Sequence, residues 1–428
     1  MKKWKPESIS LEQMLDARER RSAMQQRLLT EYRCPLICFT MNIVGDIKLT
    51  PLVAYAFRVG VNELKNRLGN PLFHRSDESA TGCEAYLVYD AEGDVMKQAA
   101  IATEESVPAG RLYDIDVLLP SGEKLSRPVQ RRCVVCGGPA TVCACSRAHG
   151  LEAVRSAERL LLENFAAERL GRQAREALLG EVYLTPKPGL VDRNNSGSHT
   201  DMDYSLYLRS AAALYPHFKE AVRLGMSHAG CAERLRAEGQ AAEADMFSAT
   251  GGVNTHKGAN YSFLVLLYAM GCVLSHGGDL FGQAAEVAMA TDSGLPENTN
   301  THGTRVRQLC GAKGVRGEAM AGFPHARKAC RVLEKEGELS ALLSVMAELE
   351  DTNIIYRGGE EALEYMRKEA VSILERPASE RAAAVRELDR AFCARHLSPG
   401  GCADILALAI FLSASSDALD VMRKFALV

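Results

Sequence analysis

After His149 the chain stops offering strands, and that change limits its architecture more than any other feature. From Leu151 onward the sequence is rich in Ala, Leu, Glu and Arg. It carries helical spacing, such as Leu363, Met366, Ala370, Ile373 and Leu374, and no convincing period-two run. Before that point, Leu36 to Thr40, Tyr86 to Tyr89 and Leu112 to Leu119 are short and apolar or alternating, with polar or Gly-containing turns between them. A helix is expected to open at Ser10, whose spacing to Gln13 is that of a capping box, with Leu11, Met14 and Leu15 on one face. The expected fold class is therefore multidomain, an α+β domain over residues 1–150 followed by an all-α domain over 151–428. Length agrees, since 428 residues exceed what one hydrophobic core usually serves.

Composition narrows the class of function. With 47% hydrophobic and 25% charged residues the chain is ordinary globular protein. A net charge of -3 argues against a nucleic-acid partner, which would need surplus Lys and Arg facing the phosphates. The first thirty residues are charged throughout and lack the apolar core of a secretory signal. Thirteen cysteines, an odd number, then read as reduced thiols, and a cytoplasmic location is expected. The longest apolar stretch, Tyr261 to Leu274, falls short of the roughly 20 residues that span a bilayer, so a buried helix and no membrane partner are expected.

Two features of the first domain carry chemistry. In Gly110-Arg111-Leu112-Tyr113-Asp114-Ile115-Asp116-Val117 a period of two puts Leu112, Asp114 and Asp116 on one strand face. Two carboxylates this close repel unless a cation lies between them, and Mg²⁺ is the natural hard-ligand partner; a solvated edge strand is the plainer reading. Downstream, Cys133-x2-Cys136 is followed by Cys143, Cys145 and His149. Soft ligands are there spaced to close on a zinc ion, with Cys133, Cys136, Cys143 and His149 as the candidate set; reduced cysteines in a tight turn are the alternative.

In the helical half, long polar loops interrupt the pattern: TPKPGLVDRNNSGSHTDMD, SATGGVNTHKGAN, TDSGLPENTNTHG, GAKGVRGEAMAGFPH and SPGGCAD. Loops of this length in a compact domain are usually functional. They hold Glu181, Lys187, Asp192, His199, Asp201, Asp203, His256, Lys257, His302, Arg316, Glu318, Asp351, Arg357 and Asp404 close to glycines. Backbone N–H groups beside glycine approach phosphate oxygens closely, so the set reads as a polyphosphate cradle with acid, base or Mg²⁺-binding carboxylates. Each residue alone reads equally well as a cap or a solvated charge.

The strings TMNIVGDIK and GRLYDIDV and the Cys-x2-Cys segment ending at His149 resemble the CitX-type citrate lyase holo-[acyl-carrier-protein] synthases, over most of residues 5 to 150. That resemblance implies a nucleotidyltransferase-like, Mg²⁺-dependent domain that places phosphoribosyl-dephospho-CoA on a carrier-protein serine and releases pyrophosphate. It makes Asp114 and Asp116 the metal pair, and Asn42, Lys48 and Arg111 candidates for the triphosphate. From about residue 155 onward, EVYLTPKPGLVDRNNSGSHTDMD, TGGVNTHKGAN, THG, GVRGEA, EDTNIIYRGG and SPGGCADILA resemble the CitG-type triphosphoribosyl-dephospho-CoA synthases. This second resemblance implies that the ribose 2'-hydroxyl of dephospho-CoA attacks C1' of ATP's ribose and adenine leaves. Asp192, Asp201, Asp203, Glu318 and Asp351 are then candidates for base or metal ligand, and His199 and His256 for proton transfer. Lys187, His256, Lys257, His302, Arg316, Arg357, Ser398, Gly400 and Asp404 are candidates for holding substrate.

The product of the second domain would be the substrate of the first, and the implied partner is the apo acyl carrier protein, the gamma subunit, of citrate lyase. Three other readings compete. The same chemistry could serve the malonate decarboxylase carrier, the first domain could be a carrier-binding module alone, or the chain could be a helical nucleic-acid or scaffold protein, which the net charge disfavours.

Overall fold

The computed structural model describes residues 4–227, 231–292 and 314–426, which form two compact units. The first comprises residues 1–166, 274–278 and 420–428, and the second residues 167–273 and 279–419.

The first unit is built on a four-stranded antiparallel sheet, β1 (Leu36–Met41), β2 (Phe73–Ser79), β3 (Gly82–Val88) and β4 (Tyr113–Leu118), in the order β2-β3-β1-β4. Three strands lie where the alternation predicts them. The fourth, β2, reads FHRSDES and is mostly exposed, so it carries no apolar period; only pairing with β3 makes it a strand. Leu112 differs from expectation too: it ends a 3₁₀ turn, Pro108–Leu112, and is buried instead of sharing the face of the two aspartates.

Helix α1 (Leu11–Tyr32) opens with the expected capping box between Ser10 and Gln13. Its Leu28 and Leu29 pack on Leu36, Cys38, Tyr86 and Val88, one face of the sheet. On the other face Phe39 stacks on Tyr113, at 5.0 Å between ring centroids, and on Phe57 of α2 (Pro51–Leu68) at 5.1 Å. A side chain at Gly60 would meet the Phe39 ring at 2.7 Å, so glycine lets α2 lie close to β1. Helix α3 (Gly93–Ser106) packs along β4, the edge strand. The short α4 (Ala140–Ser146) follows.

Helix α5 (Leu151–Tyr183) starts where the sequence changes texture, yet its residues up to Ala166 belong to the first unit. The reason is local packing, since Phe165 stacks on Tyr55 and the Glu158 carboxylate accepts the Val44 N–H.

Every described element of the second unit is helical. After α5 come α6 (Tyr204–Met226), α7 (Cys231–Ala249), α8 (Lys257–His276), α9 (Leu280–Asp292) and α10 (Gly314–Met320). Then follow α11 (Pro324–Glu336), α12 (Glu338–Met346), α13 (Thr352–Leu374), α14 (Ala378–Ala394), α15 (Gly400–Ala414) and α16 (Ser416–Ala426). Helix α8 is apolar and long enough to cross a membrane by composition, but 78% of its most apolar window is buried, which makes it the core helix that was expected. It crosses α6 through glycines: a side chain at Gly225 or Gly271 would lie 2.0 or 2.2 Å from the opposing carbonyl.

Candidate active sites

The alternation of β4 holds, with Tyr113, Ile115 and Val117 buried and Asp114 and Asp116 on the opposite, more open face. Register extends that face across the sheet. Asp114 lies opposite Thr40, Thr40 opposite Glu84, and Glu84 opposite Asp77, while Asp116 lies opposite Cys38. Arg21 of α1 meets Glu84 at 2.9 Å.

Beside β4 is a cavity of about 390 Å³ lined by Asp114 and Asp116 with Lys97, Glu104, Lys124, Arg127 and Arg131. Lys124 pairs with Asp116 at 2.6 Å. Glu104 is buried; its carboxylate accepts the Ile115 N–H at 3.2 Å and pairs with Arg127, at 2.7 Å, and with Arg131. Burial pushes the Glu104 carboxyl up against the opposite pull of those arginines. Arg131 also donates to the Tyr113 carbonyl. The free edge of β4 is thus satisfied by charged side chains, and four cations surround two open carboxylates.

Of the residues expected to bind triphosphate here, Arg111 sits on the 3₁₀ turn, where burial and the nearby Arg131 and Arg127 lower its pKa. Asn42 is exposed, and its backbone N–H reaches the Leu112 carbonyl at 2.7 Å. Lys48 donates to the Ile43 carbonyl, away from the cavity lining. Sequence reasoning missed Lys97, Glu104, Lys124, Arg127 and Arg131. Only the proximity of the last three to the Asp pair in sequence hinted at them.

In the second unit a cluster forms where three helices begin. Asp351 caps α13 by accepting the N–H groups of Asn353 and Ile354, and its other oxygen takes the Cys402 N–H of α15 at 2.9 Å. Asp404 of α15 lies against Gly258 in the first turn of α8. The positive ends of α8, α13 and α15 therefore meet. Burial, then the like charges of Glu181 and Asp351, push the Asp404 carboxyl well above the usual range. Asp351 is also raised, by burial.

Buried Lys187 bonds Glu181 through both the carboxylate, at 2.5 Å, and the carbonyl, at 2.8 Å, so its charge is already met. His256 is buried against the edge of Tyr207, with Nδ1 2.7 Å from Ser210 Oγ. Among the described residues its Nε2 has no hydrogen-bond partner, nor has Asn260 Oδ1 one turn along α8. Burial, helped by Lys187, lowers the His256 pKa to about 3 and keeps the ring neutral. His199 Nε2 lies 2.8 Å from buried Ser398 Oγ, and its Nδ1 is 3.5 Å from Arg357 and 3.8 Å from Asp201. Gly400 stands at the start of α15, where a side chain would meet Asn353 at 2.7 Å.

Other expected site residues are held by local structure. Asp192 accepts the N–H groups of Lys187, Asn194 and Asn195, shaping its own loop. Asp203 caps α6. Glu318 accepts the N–H groups of His325 and Ala326 at the start of α11, as well as the His325 ring, which raises the histidine's pKa. Lys257 pairs with Glu243 and Arg316 with Asp292. Of the five carboxylates proposed as base or metal ligand, Asp201 and Asp203 are exposed, and only Asp201 accepts no backbone N–H among the described residues. His302 lies outside the described residues.

The family model for apo-citrate lyase phosphoribosyl-dephospho-CoA transferase, CitX, matches residues 9–165. That for ATP:dephospho-CoA triphosphoribosyl transferase, CitG, matches residues 167–422. The chain is 35% identical to "Protein CitXG" of Haemophilus influenzae over 94% of this chain and 96% of that protein. It is 31% identical to "Protein CitXG" of Leuconostoc mesenteroides subsp. cremoris over 95% and 97%. The 2-(5''-triphosphoribosyl)-3'-dephosphocoenzyme-A synthase of Haemophilus ducreyi is 34% identical over 65% of this chain and 98% of its own length. Two family matches that follow one another along the chain, and CitXG relatives aligned over nearly their whole length, make this chain a member of the CitXG family of bifunctional transferases.

Proposed function

We propose that the second unit joins ATP to dephospho-CoA and the first unit passes the product to a carrier protein. In the first step the dephospho-CoA ribose 2'-hydroxyl bonds to C1' of the ATP ribose, the bond from C1' to adenine breaks, and 2'-(5''-triphosphoribosyl)-3'-dephospho-CoA remains. In the second, a carrier serine oxygen bonds to the α-phosphorus, the bond from that phosphorus to the bridging oxygen of the β-phosphate breaks, pyrophosphate leaves with the bonding electron pair, and the serine proton is released to solvent. We infer that the carrier is the gamma subunit of citrate lyase, a reading supported by the wording of the matched transferase family. The use of ATP and dephospho-CoA favours a cytoplasmic place of work.

The observation that carries the first step is Asp404, buried against Gly258, a carboxyl whose surroundings, burial first and then the like charges of Glu181 and Asp351, raise its pKa well above the usual range. A protonated acid next to a departing base supplies the proton that adenine takes with it. His256 Nε2 and Asn260 Oδ1, buried and unpartnered, offer adenine its hydrogen bonds. The converging N-termini of α8, α13 and α15, with Arg357, hold triphosphate oxygens. Asp201, 3.8 Å from the His199 ring, accepts the hydroxyl proton.

For the second step, Lys97, Lys124, Arg127 and Arg131 face the triphosphate, and Asp114 and Asp116 are oxygen donors suited to Mg²⁺. When bound there, Mg²⁺ would neutralise charge on the departing pyrophosphate.

The test is to incubate the protein with ATP, dephospho-CoA and Mg²⁺, follow adenine, then add apo carrier and follow pyrophosphate and carrier mass. Asp404→Asn is expected to lose adenine release while still transferring supplied triphosphoribosyl-dephospho-CoA. Asp114→Asn is expected to do the reverse. Full transfer by Asp114→Asn would reduce the first unit to a carrier-binding module, and absence of adenine from the native protein would overturn the first step.

A further inference from the structure

We propose that Cys133, Cys136, Cys143 and His149 form a structural zinc site that fixes the Arg131 wall of the β4 cavity. One ligand atom from each of the four lies within 4.8 Å of the others, and no other group of this kind occurs among the described residues. Tetrahedral zinc with Zn–S bonds of about 2.3 Å separates its sulfurs by about 3.8 Å. Cys136 and Cys143 Sγ are 3.5 Å apart, close to that separation and well beyond the roughly 2.05 Å of a disulfide.

The backbone is folded for the purpose. Arg132 pairs with Pro139 as an isolated antiparallel bridge, the Gly137 N–H returns to the Cys133 carbonyl at 3.0 Å, and Gly137 takes φ +72°. This tight turn brings the two cysteines of Cys-x2-Cys to one side, and the Val135 N–H points at Cys133 Sγ at 3.4 Å, as an N–H steadying a thiolate ligand does. Cys143 comes from α4 and His149 from the segment after it. The second, independent observation is the His149 ring: its Nε2 is buried and has no hydrogen-bond partner among the described residues. A buried, unpartnered nitrogen on an imidazole ring that groups with three thiols is an unmet polar atom. Cys145, in the same stretch of sequence, is exposed and outside the group.

The site is closed, with four protein ligands and no place for substrate, so its role is structural. Its reach is short. The Ala140 N–H bonds to the Arg131 carbonyl at 3.0 Å, and the Arg131 side chain holds Glu104 and the Tyr113 carbonyl at the cavity. Zinc would anchor the turn at whose foot Arg131 stands.

The test is the metal content of the full chain, purified under reducing conditions without chelator. About one zinc per chain is expected, unchanged in Cys145→Ser and lost in Cys143→Ser. Cobalt added to metal-free protein should give the intense visible bands of a tetrahedral thiolate site in the native chain and in Cys145→Ser, but not in Cys143→Ser. Metal removal should lower carrier transfer at least tenfold and leave adenine release within twofold, which separates loss of the zinc site from failure of the second unit. Absence of zinc from the native chain, equal zinc in Cys143→Ser, or a Cys136–Cys143 disulfide in the protein as isolated would overturn the proposal.

Discussion

Replacing Gly258 by alanine tests whether Asp404 acts where it stands. Gly258 lies in the first turn of α8, and a Cβ built on it would sit 2.1 Å from Asp404 Oδ2. Real Cβ atoms essentially never approach within 3.0 Å, so the carboxyl must withdraw by about 1 Å or more. Misplacing a catalytic group by about 1 Å costs on the order of 100-fold, or about 2.7 kcal/mol of barrier. The fold should not suffer, because alanine is favoured over glycine in a helix by about 1 kcal/mol. Gly258→Ala should therefore release adenine about 100-fold more slowly, by chromatography of the free base at saturating ATP and dephospho-CoA. Transfer of supplied triphosphoribosyl-dephospho-CoA to the carrier, which uses the other unit, should stay within twofold. Adenine release within threefold of the native rate would refute the reasoning, as would an equal loss of both activities.

His256 gives a pH prediction. Its pKa falls from 6.5 to about 3 on folding, so between those values the unfolded chain binds a proton that the folded chain refuses. Stability from this residue is complete above pH 6.5 and falls with falling pH, by about 2 kcal/mol at pH 5. Urea unfolding from pH 7 to pH 5 should show the native chain losing about that much more than His256→Gln; parallel curves would contradict it. Glu104→Gln removes the buried charge that Arg127 and Arg131 share, and should cost about 3 kcal/mol in urea unfolding. A loss below about 1 kcal/mol would mean that solvent, not Glu104, satisfies the arginines.

Local pattern was legible wherever one period governed it. The capping box at Ser10, three of the four strands, the open face of Asp114 and Asp116, and the Cys-x2-Cys grouping with Cys143 and His149 all follow from spacing along a few residues. The polar β2 was not legible, because its only reason to be a strand is its partner β3. Leu112 was misplaced for a similar reason: the period of two runs through it, but the backbone turns before the strand begins.

The helical unit shows the limit more sharply. Sequence identified loops rich in ionisable groups beside glycines, but not which of those groups are free to act. Asp192 and Asp203 are occupied by N–H groups a few residues away, a role their loop positions allow but do not require. Glu318 and Asp351 bind the starts of helices, and Asp351 binds two at once, in α13 and α15.

By itself the sequence determined a strand-bearing part followed by a helical one, the families each resembles, and the residue types available to each site. Tertiary structure alone decided that Lys187 pairs with Glu181, that Asp404 is buried against Gly258 with its pKa raised, and that Lys97 and Arg131 face the same cavity as Asp114. The physical reason is range. Periodicity acts between neighbours a turn or a pleat apart, whereas a carboxyl's charge state depends on burial and on partners that only packing brings within a few ångströms.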